Sequence, residues 1–267
     1  MDDFRYASLD SEIEGYWDKR AKSYSNSIRG ELADNRHAAW KRSLEHVAGD
    51  YIIEARREGR TARALDLGCG PGFFSIVLAE LGCAVDAVDA SSQMLDHARA
   101  NVTATSYSSQ ISFHESDVLR LPFDNNAFDV ALSRNLTWVV LDPEAAYAEW
   151  LRVLRPGGKL VVYDANWYLY LVNEEIDAQR RLDQENNVLE GIAENARATA
   201  AQVKHCEEIA EQLPLTSVLR PAWDLETLPR LGASRVRADE GVWKELWTES
   251  EQAYYASSPL FLIEAIK

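Results

Sequence analysis

Residues 63–91 read RALDLGCGPGFFSIVLAELGCAVDAVDAS. A short apolar run ending at Leu67 meets three glycines, Gly68, Gly70 and Gly72, spaced two apart. After them Phe74, Val77, Leu78 and Leu81 recur at i, i+3, i+4 and i+7, one apolar face of a helix. A second apolar run then closes on an acid, Asp89. Strand, glycine turn, helix and strand make a βαβ unit of a parallel sheet. Such a turn lets backbone approach a ligand closely and aims helix N–H groups at it. An acid ending the second strand is placed to accept hydrogen bonds from a ribose diol. These features suit a nucleotide-type cofactor, and the spacing bears on which one. A dinucleotide fingerprint needs G-x-G-x-x-G, whereas here the pattern is G-x-G-x-G, with Phe73 where the third glycine would fall.

The alternation continues on both sides. ISFHES (111–116), AFDVALS (127–133) and KLVVYDA (159–165) read as strands. Ser91 opens a helix that turns Leu95, Ala98 and Val102 inward. PEAAYAEWLRVL begins with proline at its first helical position and groups Tyr147, Trp150, Leu151 and Leu154 on one face. RPGG (155–158) reads as a turn. The first 60 residues are helical in pattern. Residues 174–213 look helical too, with Leu189, Ile192, Ala193 and Ala196 at helical spacing and Pro214 as a stop. DLETLPRLG is a short helix, SRVRADEGVWKELW is strand-like, and PLFLIEAIK is a last strand. The pattern predicts an α/β fold, Rossmann-like and doubly wound, with a mostly parallel seven-stranded sheet and helices on both faces. Residues 1–60 form an N-terminal helical region expected to close over the site. Residues 61–167 and 223–267 form the α/β domain, and 168–222 a helical insertion, read as a lid or a dimer surface.

The 28 basic and 43 acidic side chains leave a formal charge of −15. Nucleic-acid binders draw affinity from lysines and arginines that replace phosphate counterions. RREGRTAR (56–63) is the one dense basic stretch, and without aromatics or a recognisable module it reads as a solvated loop. Cys69, Cys83 and Cys206 lie far apart with no C-x-x-C pair, so neither a disulfide framework nor a metal site is read from them. No apolar run reaches membrane-spanning length, and the acidic start lacks a signal-peptide core. The expectation is a cytoplasmic protein with no nucleic-acid and no membrane partner.

Three stretches together carry a family resemblance: ALDLGCGPGFFSIVLAELGCAVDAVDASSQMLDHA, then ESDVLRLPFDNNAFDVALSR, then YAEWLRVLRPGGKLVVYD. In order and spacing they resemble a class I S-adenosylmethionine-dependent methyltransferase of the small-molecule type, over roughly residues 60–165. YWDKRAKSY near the N-terminus adds a general likeness. The resemblance implies S-adenosylmethionine as cofactor, with Asp66, Gly68, Cys69, Gly70 and Gly72 around its methionine part. Asp89 would hold the ribose, Ala90 and Met94 would flank the adenine, and Asp117 and Val118 would meet its amino group and face. Arg134 would line the junction with the methyl acceptor, while Tyr16, Trp17 and Arg20 fold over the cofactor.

Methyl transfer from a sulfonium is an in-line displacement, so alignment and exclusion of water matter most. A general base is needed only if the acceptor must lose a proton. His37, Asp164 and His205 are weak candidates for one; His97 and His114 suit packing or exposure. SRNLTWVV and YDANWYLY should lie at the carboxyl edge of the sheet, where ligands of such folds bind. Asn135, Trp138, Asn166, Trp167 and Tyr170 are therefore the candidates for a small-molecule acceptor. A cofactor-binding sensor without transferase activity is the alternative, and an NAD-dependent oxidoreductase a more distant one.

Overall fold

The computed structural model describes residues 2–190 and 193–267. Two long helices come first, α1 (Asp2–Ala33) and α2 (Asn35–Arg57). Between them Asp34 caps α2, its carboxylate accepting from the Arg36 backbone N–H at 2.8 Å. Trp40, Leu44, Val47, Ala48, Ile52 and Ala55 recur at helical spacing along α2 and are buried.

The α/β unit follows as β1 (Arg63–Leu67), α3 (Phe73–Glu80), β2 (Ala84–Asp89), α4 (Ser92–Thr103), β3 (Ile111–Glu115), β4 (Phe128–Arg134), α5 (Pro143–Val153) and β5 (Leu154–Asp164). After it come α6 (Glu174–Asn186), α7 (Ala200–Ala210), α8 (Ala222–Arg230), β6 (Arg235–Asp239), α9 (Trp243–Leu246), α10 (Glu249–Tyr254) and β7 (Phe261–Ile266). The seven strands form one sheet in the order β3-β2-β1-β4-β5-β7-β6. The first five strands run parallel, and β7 is antiparallel to both β5 and β6. Both faces are covered, which is why the central strands read as apolar throughout. Val130, Leu132, Val161 and Tyr163 pack toward α2 and α3, while Leu65, Leu67, Leu160 and Val162 pack toward α5 and α8. Strand order reverses between β1 and β4, which places a ligand crevice beyond their carboxyl ends.

Three local expectations are corrected. The RPGG stretch does not separate helix from strand. It lies inside β5, where Leu154 pairs with Phe128 and Lys159 with Val130, so residues 155–158 bulge against a single β4 residue, Asp129. The strand-like stretch after residue 234 ends at Asp239, whose carboxylate accepts from the Gly241 N–H and turns the chain into α9. The helical run over 174–213 is broken between α6 and α7. Asn186 and Asn187 each donate a side-chain N–H to the carbonyl four residues back, Leu182 and Asp183, and Asn187 itself is extended. Of the four residues at helical spacing, Leu189 is half-buried, Ala193 exposed and Ala196 buried, and Ile192 lies outside the described residues.

α7 packs back toward the N-terminal region. Cys206, Ile209 and Ala210 of α7, with Leu213, form one cluster with Leu9 and Tyr16 of α1 and with Trp138 and Val139 beyond β4. Among the described residues no helix is long and apolar enough to cross a membrane.

Candidate functional site

A cavity opens where β1, β2 and β4 end, and the glycine turn forms its floor. Gly68 adopts a left-handed φ of +61°, and a Cβ there would stand 2.7 Å from a Leu136 methyl. Gly72, at φ +88°, caps α3, and a Cβ on it would press on Ala98. Gly68 and Gly70 line the cavity, whereas Cys69 and Gly72 face inward. The Cys69 thiol is buried, and burial pushes its pKa well up, so it is a neutral filler.

Asp89 faces the cavity from the end of β2. Its Oδ2 accepts the Gly70 N–H at 2.8 Å and its Oδ1 the Ser91 N–H at 2.9 Å. Each oxygen keeps a further lone pair for a ligand hydroxyl. Burial raises its pKa to about 6 against the pull of those two N–H groups. Asp66 lies deeper. It is buried, takes the Ser75 hydroxyl at 2.5 Å, and does not reach the cavity wall. Burial raises its pKa to about 7, with the Ser75 bond opposing the shift.

The roof is α1. Asp10, Ile13, Glu14, Trp17 and Tyr24 line the cavity from one stripe of this helix. Ser91 Oγ, the cap of α4, donates to Asp18 Oδ1 at 2.6 Å. Asn101 Nδ2 donates to Ser25 Oγ and to the Pro71 carbonyl, which ties α1, α4 and the glycine turn together. Of the three N-terminal residues expected over the cofactor, Trp17 alone lines the cavity. Tyr16 is buried toward α7, edge-on to His205, and Arg20 donates to Ser23 Oγ. Tyr24 takes their place. Its ring lies 3.6 Å from where a Gly70 Cβ would be. The i, i+3, i+4, i+7 and i+14 spacing from Asp10 was a legible signal, masked by the acids within it.

The remaining walls come from β2–β4 connections. Ala90 and Met94 line one side, and Asp117, Val118 and Leu119 another. The Asp117 carboxylate accepts the Leu119 N–H at 2.8 Å, which fixes the turn after β3. Residues 134–141 supply the last wall through Arg134, Asn135, Leu136, Val139, Val140 and Leu141. The Arg134 guanidinium turns away, bonded to Glu31 at 2.7 and 3.1 Å and stacked 4.3 Å over Trp40. Among the described residues lining the cavity, four are acidic and one basic, and that one is already neutralised. The site therefore carries net negative potential and favours a cationic ligand.

Other candidates from the sequence lie elsewhere. His37 bonds Glu80 at 3.1 Å on the far side of α3, and His205 bonds Glu12 at 3.0 Å between α7 and α1. Asp164 is fully buried and accepts from Arg220, Trp138 N and Ala165 N, so it is not free to take a proton from a substrate. Trp138, Asn166 and Trp167 line a separate small void with Arg220. The Tyr170 hydroxyl donates to Glu207, and its ring lies 3.8 Å beneath the Arg180 guanidinium. Of the five acceptor-side candidates, only Asn135 reaches the cavity.

A family model described as "Methyltransferase domain" matches residues 65–162, from β1 into β5. These residues are a class I S-adenosylmethionine-dependent methyltransferase domain. The chain is 35% identical over 127 residues to the malonyl-[acyl-carrier protein] O-methyltransferase of Erwinia pyrifoliae, covering 48% of this chain and 45% of that protein. Methyltransferase GfsG of Streptomyces halstedii is 24% identical over 277 residues, covering 93% of this chain and 94% of its own. The chain spans about half the length of most of the curated relatives it matches. The phosphoethanolamine N-methyltransferase 2 of Haemonchus contortus, solved with S-adenosyl-L-methionine, shares the fold with a TM-score of 0.51 and 16% identity, covering 90% of this chain and 60% of that one.

The cofactor of such a methyltransferase domain is S-adenosylmethionine, and the residues here suit it. Asp89 offers carboxylate lone pairs for a diol, and the exposed backbone of Gly68 and Gly70 permits close approach. The surplus of acids matches a ligand whose sulfonium and ammonium outweigh its one carboxylate.

Proposed function

We propose that the protein transfers the methyl group of S-adenosylmethionine to a small-molecule acceptor. The observation that carries this reading is the cavity beneath α1, where Asp89, two turn glycines and an acidic lining converge. When bound, S-adenosylmethionine supplies a methyl group already activated on sulfur. The chain then has to hold, orient and keep out water. Asp89 would grip the ribose, and Asp117 with Val118 the adenine. Asp66 would act from below the turn rather than by direct contact, since it does not reach the wall. Trp17, Tyr24, Asn135 and Leu136 would border the sulfur and its methyl group, with Arg134 behind them. Three features support an acceptor of small size: α1 roofs the cavity, the 134–141 segment walls it, and Ile13, Val139, Val140 and Leu141 make part of its lining apolar.

His37, Asp164 and His205 all lie off the cavity, which favours acceptors that need no side-chain base from these positions. The insertion, residues 168–222, is best read as a lid, because α7 packs on α1 and beside Trp138. The test is S-adenosylhomocysteine formation with the low-molecular-weight fraction of a cell extract. Production that depends on that fraction, with label from the methyl group recovered in a small molecule, is the expected result. Tight cofactor binding with no transfer to any compound would favour the sensor reading instead.

A further inference from the structure

We propose that Asp164 is a positioning residue that holds the wall of the cofactor cavity in place and couples it to the insertion. The inference rests on the reading of this cavity as the S-adenosylmethionine site. Two backbone hydrogen bonds tie the 135–141 wall to β5: Asn135 N–H to the Tyr163 carbonyl at 2.9 Å, and Trp138 N–H to Asp164 Oδ2 at 3.2 Å. Trp138 itself faces away from the cavity, but its chain neighbours Leu136 and Val139 line it. Leu136 in turn presses on Gly68 in the cofactor turn. A shift at Trp138 is therefore passed to the floor of the site.

The same oxygen of Asp164 engages the insertion. Arg220 Nη1 donates to Oδ2 at 2.5 Å, and the same guanidinium makes a double contact with Asp224 at 2.7 and 2.9 Å. Asn166 fixes the backbone of Arg220 from both sides, accepting its N–H and donating to its carbonyl. One carboxylate thus joins the end of β5, the cavity wall and a residue near the end of the insertion. It touches neither cofactor nor reacting atoms, so its effect runs through the wall.

Burial of an unpaired charge is the usual hazard of cutting such a pair. Here Arg220 keeps Asp224 when Asp164 is removed, so the charge stays matched. The experiment is calorimetric titration of wild-type, Asp164→Ala, Asp164→Asn and Val47→Ala protein with S-adenosylhomocysteine, alongside melting curves. Val47→Ala trims a buried side chain of α2, a helix that does not line the cavity. We expect Asp164→Ala to weaken binding about tenfold, in line with loss of a hydrogen bond to a charged group. Asp164→Asn keeps one oxygen for the Trp138 N–H and should fall between it and wild type. Val47→Ala should lower the melting temperature and leave affinity unchanged. Should Asp164→Ala not fold, the intermediate loss in Asp164→Asn decides the matter. Wild-type affinity in Asp164→Asn, and in Asp164→Ala where it folds, with melting lowered as in Val47→Ala, would overturn the proposal. Failure of wild-type protein to bind would instead overturn the reading of the cavity.

Discussion

Replacing Asp89 with alanine removes the acceptor at the centre of the cofactor cavity. In the structure each of its oxygens holds one backbone N–H, from Gly70 and Ser91. The lone pairs left over are those a ribose diol would use. Hydrogen bonds to a charged group contribute roughly 1.5–3 kcal/mol each, and every 1.4 kcal/mol corresponds to about tenfold in affinity. Losing even one such bond should weaken S-adenosylhomocysteine binding ten- to a hundredfold. The Gly70 N–H also loses its partner, which frees the turn and adds to the loss. Asp89→Asn offers a stricter comparison of equal size. Its amide has a single oxygen for two N–H donors, so its NH2 must face either Gly70 or Ser91. Binding should drop nearly as far as in the alanine variant. Isothermal titration of folded protein, with circular dichroism to verify the fold, reads both numbers. Affinity within a factor of two of wild type in both variants would refute the argument.

Gly68→Ala should abolish measurable cofactor binding and destabilise the fold by about 1–3 kcal/mol, because a left-handed φ and the Leu136 methyls both oppose a Cβ; wild-type melting and binding would count against this. Cofactor affinity should rise with pH between about 5 and 8 and then level off. Asp89 is raised to about 6 and Asp66 to about 7, and the ionised forms suit a cationic ligand; titrations across that range with a flat profile would exclude the coupling. For the free protein the sign is opposite. A carboxyl whose folded pKa is raised stabilises most below its unfolded value and loses that contribution as pH rises through the folded value. Asp66→Asn should therefore melt several degrees higher than wild type above pH 7.5, with the difference vanishing near pH 4. Equal melting temperatures at both pH values would show that burial does not disfavour the Asp66 carboxylate.

How much was legible in the sequence follows from where each signal resides. Strands β1, β2, β4 and β5 are largely apolar and bounded by glycine turns or capped helices, so their existence is written locally. The glycine turn and Asp89 carry the cofactor site in the same local way. The roof was harder to see. Asp10 and Glu14 share a stripe with Ile13 and Trp17, and acids on a helix ordinarily face water. The break between α6 and α7 depends on asparagine side chains competing for helix carbonyls, which periodicity cannot register. The bulge in β5 depends on its register against β4. Asp164 ends a strand at the ligand edge and so reads as a possible base, yet its charge partner Arg220 comes from the far end of the insertion. Trp138, Asn166 and Trp167 follow β4 and β5 at the sheet edge, but they line a void shared with Arg220 of the insertion and not the cofactor cavity.

A crystal structure of the protein soaked with S-adenosylhomocysteine addresses the proposed site most directly. We expect ribose density on Asp89, adenine against Asp117 and Val118, and the thioether beneath α1 beside Tyr24 and Asn135. Density anywhere else, or an empty cavity at saturating ligand, would refute the assignment.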